Sequence, residues 1–205
     1  MHSSSNTLNP DKYLDREDLK KVEQYFEAKM LMDKKYGRTR WVRNFYFICF
    51  LIYTGARISE VCHIKIKDLS LSSKIPSIYI ERGKGNKNRT VYIPSKLKLK
   101  VIEFLEHKNI LGDSLDQDSY LFSSPRGVHL SPRYIQMVIK KMRADLGLKR
   151  CTPHTFRHTY ATMLYQQEKD LRLVMKMLGH SNIKTTTIYA DVIPEEARLQ
   201  IEKAW

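Results

Sequence analysis

The chain has 205 residues, enough for one domain with a full core or two small ones. It carries 36 Lys and Arg against 22 Asp and Glu, a formal charge of +14, which is the footprint of a protein that meets a polyanion; nucleic acid is the leading partner class. No apolar run approaches the ~20 residues of a membrane span, and the three cysteines, without a CxxC, exclude a disulfide framework or a zinc cluster.

In chain order, residues 1–14 read as a flexible lead or interdomain linker, without the charged n-region and apolar stretch of a secretory signal. A reducing, cytoplasmic setting is therefore expected, with the protein associated with the nucleoid. "LDREDLKKVEQYFEAKMLMDKKYG" (Leu14–Gly37) predicts a helix with Asp15 as N-cap, acids in its first turn and lysines at its end. "TRWVRNFYFICFLIYTG" (Thr39–Gly55) predicts a second, largely buried helix that ends at Gly55. A short helix through "ARISEVCHI" and a turn at "IKDLS" follow. "PSIYIERGKGNKNRTVYIP" (Pro76–Pro94) pairs two β-branched and aromatic runs around a Gly-, Asn- and Lys-rich centre, a hairpin signal. Beyond it the pattern is helical again: "SKLKLKVIEFLEHK", "SPRYIQMVIKKMRADLG", then "TPHTFRHTYATMLYQQ" with Thr152 as N-cap and Pro153 at the first helical position. "DLRLVMKMLG" should end at Gly179, and "PEEARLQIEKAW" should form a last helix. The expected fold is α+β and mainly helical, with one small β-hairpin or three-stranded sheet, in a single domain over residues 15–205.

Four stretches hold residues that could carry chemistry. On the helix that starts at Pro153, a ~100° step per residue gathers Phe156, Tyr160, Met163 and Leu164 on one stripe. His154, Arg157, His158 and Ala161 fall on the other side, so the first stripe should face the core. His154 also lies in the first turn, where N–H groups and the dipole favour an anion. The pair His154 and His158 has metal-ligand spacing, but no HExxH glutamate or third ligand accompanies it, so no metal is expected. In "YTGARISEVCHIKIKDL", Arg57 opposes the dipole of a helix start, which requires either pairing with Glu60 or holding a phosphate. Two arginines can grip both non-bridging oxygens of a phosphodiester in a bidentate manner that lysine cannot copy. "GKGNKNR" places Lys84, Lys87 and Arg89 at a glycine-flexed tip. They make either a generic phosphate-contacting loop or one from which Lys84 reaches a site as a general acid. "LGHSNIKTTTIYAD" sets Tyr189 nine residues after His180.

The order "TGARISE", "GKGNKNRTVYIP", "TPHTFRHTYAT", "LGHSNIKTTTIY" resembles the catalytic domain of the tyrosine recombinases, the phage integrase and Xer family, over about residues 14–205. Carried over position by position, the resemblance implies a catalytic set of Arg57, Lys84, His154, Arg157, His180 and Tyr189, with Glu60 in support. Lys87, Arg89 and His158 are then expected to contact DNA. The implied reaction is site-specific cleavage and rejoining of double-stranded DNA through a 3′-phosphotyrosyl intermediate, with no cofactor. A phenol of pKa near 10 is only about 0.1% ionised at pH 7, so attack needs a base and charge neutralisation at phosphorus. His154 is the candidate base, Lys84 the candidate acid, and Arg57, Arg157 and His180 the stabilisers of charge. The alternatives are a nicking-closing enzyme resembling type IB topoisomerases, and a DNA-binding regulator of the same fold without catalysis.

The family's N-terminal core-binding domain has no counterpart before the first helix. An isolated catalytic domain is therefore expected, or a naturally short member such as the fimbrial-switch invertases. The resemblance further implies self-association into a tetrameric synapse on DNA, with a monomer or weak oligomer otherwise. Residues 192–205, with Ala197, Ile201 and Trp205 at four-residue spacing, would dock in trans on a neighbouring protomer, or in cis when alone.

Overall fold

A computed structural model describes residues 13–83, 87–169 and 171–178. Helix α1 (Arg16–Lys35) begins where the Asp15 carboxylate accepts the Asp18 N–H at 2.7 Å, and acids in its first turn and lysines in its last complement its dipole. Helix α2 (Arg40–Thr54) is apolar nearly all round. Phe45 to Leu51 are all buried, which is the signature of a helix enclosed by others. It packs against α1, against α4 (Ser95–Ile110) and against α6 (Pro153–Glu168). Its aromatic side chains continue into Phe104 and Phe122, whose rings lie 5.4 Å apart beneath Phe47 and Phe50.

Gly55 stops α2 in the left-handed region, at φ +58°. A Cβ there would meet the Tyr160 ring at 2.5 Å and Leu178 at 3.1 Å, so both the backbone angle and the close approach of later helices require glycine. The five-residue α3 (Ile58–Cys62) follows. The expected turn at "IKDLS" is a 3₁₀ turn over Ile66–Asp68 that runs into β1 (Leu69–Ser70).

That strand extends the hairpin into an antiparallel sheet of order β1-β2-β3, with β2 at Ser77–Gly83 and β3 at Lys87–Tyr92. Register pairs Ile78 with Val91 and Ile80 with Arg89, and it shifts between Ile80 and Gly83. Ile78, Ile80, Val91 and Ile93 are buried and form the inner face, while Tyr79 and Tyr92 stay partly exposed on the outer one.

Helix α5 (Pro132–Asp145) is capped by Ser131, buries Ile135, Val138, Ile139 and Met142, and lies against α3. Helix α7 (Leu171–Leu178) closes on α6 and β3. Among the described residues, no helix is long and apolar enough to cross a membrane. The expected last helix lies outside the described residues, as does the segment 192–205.

Helix α6 departs from the expected division of faces. Thr155, Phe156, Arg157, Thr159, Ala161 and Thr162 are all buried, whereas Met163 is exposed. The physical reason is that α6 has two neighbours, α2 and α7, so a single core-facing stripe does not describe it. Ala161 packs with Val174 and Leu178 in a second small core, its small side chain letting the helices approach on that flank, while Thr159 accepts the Leu14 N–H on another.

Candidate active site

The site begins at the break after α2. Once Gly55 has turned the chain, Arg57 becomes the N-cap residue of α3 and Glu60 its third helical position. The Glu60 carboxylate accepts the Arg57 backbone N–H at 2.7 Å and Arg57 Nη1 at 2.8 Å. The pairing that the sequence left open therefore exists. It does not remove Arg57 from the surface, because the side chain remains partly exposed and lines a cavity of about 620 Å³.

Arg157 lines the same cavity from α6, although it is only 6% exposed. Its Nη1 donates to the Gly55 carbonyl at 2.8 Å and its Nη2 to the Leu178 carbonyl at 2.6 Å. Those carbonyls belong to the C-terminal ends of α2 and α7, where intrahelical donors run out and positive charge is favoured. One guanidinium thus ties two helix ends together and is itself immobilised.

His154 is the second residue of α6 and is exposed on the cavity wall. Thr152 and Thr155 cap this end reciprocally, with each Oγ1 accepting the other's backbone N–H, at 3.2 and 3.0 Å. Gln136, Lys140 and Arg143 of α5 complete the wall. They recur at i, i+4 and i+7, along the flank of the buried stripe of that helix, beside Ile139. This basic stripe was readable in "YIQMVIKKMRAD" as the complement of its apolar residues, and the motif reading passed over it.

Glu60, behind Arg57, has a side chain that is only 4% exposed. Burial pushes its carboxyl up. Arg89, through charge and hydrogen bonds, and then Arg57 more than reverse this and hold it at about 2. Arg89 donates Nη1 and Nη2 to the two carboxylate oxygens at 2.9 and 2.7 Å. Here the structure differs from the expected DNA contact: the Arg89 side chain is 10% exposed and turned into the protein. The cause is strand parity, because Arg89 pairs with Ile80 on the inner face and, two residues from Val91, shares its side of the strand. His158 is half-buried one turn beyond His154 and does not line the cavity. Lys84, His180 and Tyr189 lie outside the described residues, as does the side chain of Lys87. Among the described residues, no cluster of three or more His, Cys, Asp or Glu could hold a metal ion.

The arrangement is a cationic recess with two fixed arginines and a histidine at a helix N-terminus, which suits a phosphate group. The model of the phage integrase family matches residues 13–196. The chain belongs to that family. Among curated members, it is 36% identical over 155 residues to a tyrosine recombinase of Pseudothermotoga lettingae, covering 75% of this chain and 51% of the relative. It is 32% identical over 194 residues to tyrosine recombinase XerH of Campylobacter jejuni, covering 94% and 51%. The chain therefore spans about half the length of these members. Solved family structures agree in fold. The crystal structure of XerA recombinase superposes with a TM-score of 0.74 at 28% identity, over 94% of this chain and 64% of that one. XerH site-specific recombinase bound to palindromic difH substrate, a post-cleavage complex, gives 0.76 at 27% identity, over 98% and 55%.

Proposed function

We propose that this chain is the catalytic domain of a site-specific DNA recombinase that cuts and rejoins double-stranded DNA through Tyr189. The observation that carries this reading is the placement of Arg57 and Arg157 on the wall of one cavity, with His154 at the N-terminus of α6 beside them.

A phosphodiester bound there presents its non-bridging oxygens to the two guanidiniums. As the Tyr189 oxygen bonds to phosphorus, the added negative charge develops on those oxygens, where fixed donors stabilise it without reorganisation. His154 takes the phenol proton, and Lys84 supplies a proton to the departing 5′ oxygen as its bond to phosphorus breaks. His180 adds a further donor to the phosphate. The tyrosyl ester retains the energy of the broken bond, so attack by a second 5′ hydroxyl restores the diester without ATP. The positive charge that Mg²⁺ supplies in many phosphoryl-transfer enzymes comes from side chains.

The excess of basic residues and the α5 stripe favour binding to the DNA backbone around the scissile phosphate. Exchange between two sites requires several protomers, four in a synapse of paired cuts, and the nucleoid is where such a protein would act.

The test is incubation with nicked suicide duplexes drawn from the source genome, then denaturing electrophoresis and peptide mapping. The expected result is a covalent adduct on Tyr189 at defined sequences, with Tyr189→Phe binding the same duplexes and forming none. Binding without any adduct from the unaltered chain would overturn the catalytic reading in favour of a regulator. Adduct formation at every sequence, with relaxation of supercoils, would replace recombination by a topoisomerase-like activity.

A further inference from the structure

We infer that Arg89 is a positioning residue that fixes Glu60, and through it Arg57, while holding the end of α7 against the active site. The inference rests on the recombinase reading for its catalytic consequence, but its geometry is independent of it.

Arg89 makes three hydrogen bonds to two separate elements. Two go to Glu60, as described, and its Nε donates to the Met177 carbonyl at 3.4 Å. The adjacent carbonyl, that of Leu178, is the one taken by Arg157. Successive carbonyls in the last turn of α7 are thus each held by an arginine. Both arginines are in turn fixed to the α2–α3 region, Arg157 through the Gly55 carbonyl at the end of α2 and Arg89 through Glu60 of α3. His180 and Tyr189 follow this clamp in the chain, so it sets the point from which the segment bearing both of them departs. Lys84 falls between β2 and β3 in the sequence, and Arg89 ties β3 to the same hub.

The charges show why a third arginine is needed. With Glu60 alone, Arg57 would be half of a neutral pair at the cavity wall. Adding Arg89 leaves one carboxylate between two guanidiniums, a net charge of +1 for a phosphate to meet. Glu60 acts as a strut whose own charge Arg89 cancels, and the bidentate geometry fixes its plane.

Four proteins decide the matter: the unaltered chain, Arg89→Met, Arg89→Lys and the double variant Glu60→Gln with Arg89→Met. The readouts are adduct formation on suicide duplexes, duplex affinity at several salt concentrations, and amide hydrogen exchange in α7. Arg89→Met should form adduct about a hundredfold more slowly, with affinity within about threefold and an unchanged salt slope, whereas loss of a phosphate contact would reduce that slope by about 1. Arg89→Lys keeps the charge but cannot span both partners, and should fall between the two. In Arg89→Met, Glu60 stays buried without its main partner. Adduct formation should therefore gain an acid limb that the unaltered chain and the double variant lack. Exchange in α7 should rise in Arg89→Met.

An adduct rate within about threefold in both single variants overturns the inference, as does a fall in affinity with a reduced salt slope, which makes Arg89 a DNA contact. If the unaltered chain forms no adduct, the recombinase reading fails while the exchange experiment still judges the clamp: unchanged protection of α7 in Arg89→Met, or in Arg89→Lys if that alone folds, overturns it.

Discussion

Replacing Glu60 by Gln keeps the side chain's size and removes the charge that the Arg57 and Arg89 guanidiniums share. In the folded protein the carboxyl is held at about 2, against an ordinary 4.5. Such a depression corresponds to about 3 kcal/mol of stability at neutral pH, of the same order as breaking a buried ion pair by deleting one partner. Because the folded value is the lower one, this contribution is complete above pH 4.5 and fades as the pH falls towards 2. The expected gap between the unaltered chain and Glu60→Gln is therefore about 3 kcal/mol at pH 7 and about 2 kcal/mol at pH 3.5. In a domain of this size the neutral gap appears as a melting temperature lower by roughly 6–12 °C. Urea unfolding at the two pH values, with equal slopes for both proteins, measures it directly. A gap below about 1 kcal/mol at pH 7, or one that does not shrink with acid, would refute the argument that Glu60 is an ionised hub.

Gly55→Ala should destabilise the fold by about 2–5 kcal/mol in the same assay, from the left-handed backbone and the collision with the Tyr160 ring; a loss under about 1 kcal/mol contradicts the packing described. Lys84→Ala should slow adduct formation on an ordinary duplex by about 10²–10⁴-fold, yet recover on a duplex whose scissile 5′ oxygen is sulfur, since a thiolate leaves without a proton. Equal defects on both duplexes would remove Lys84 from the acid role. Tyr189→Phe should abolish the adduct and spare binding, as read by gel shift and denaturing electrophoresis.

Much of the fold was legible because its signals are local. The Asp15 and Thr152 caps, the Pro153 start and the Gly55 stop each depend on one residue's hydrogen bonding or backbone angle. The all-apolar run from Phe45 to Ile52 marked a helix that other elements surround. Arg57, His154 and Arg157 were legible as candidates through their motifs, and they converge on one cavity although about a hundred residues separate the first from the other two. A three-stranded sheet was among the expectations, but the place of its third strand was not legible, since "IKDLS" reads as a turn: β1 is two residues long and takes its conformation from pairing with β2.

The division of α6 into faces failed for a reason of the same kind. Periodicity on one helix reports how many residues avoid water, not how many neighbours the helix has. The buried Thr155, Thr159 and Thr162 look polar in sequence, but Thr155 accepts from Thr152 and Thr159 donates to the Thr155 carbonyl. The Thr155 and Thr159 hydroxyls are thus satisfied, Thr159 Oγ1 also accepting the Leu14 N–H at 2.9 Å, so that side lies buried beside the entry to α1 at little cost. The packing of Ala161 on Val174 and Leu178 brings the end of α7 to this helix, and Arg157 is seated between two helix ends rather than in solvent. An arginine free in water would have to be ordered by each substrate, whereas one already bound to the Gly55 and Leu178 carbonyls has been ordered by folding. Arg89 follows the same logic on a strand, where its shared parity with the buried Val91 and Ile93 already pointed inward. Its charge, read alone, pointed to DNA; its parity pointed to the core, and parity prevailed because Glu60 waits there to receive it.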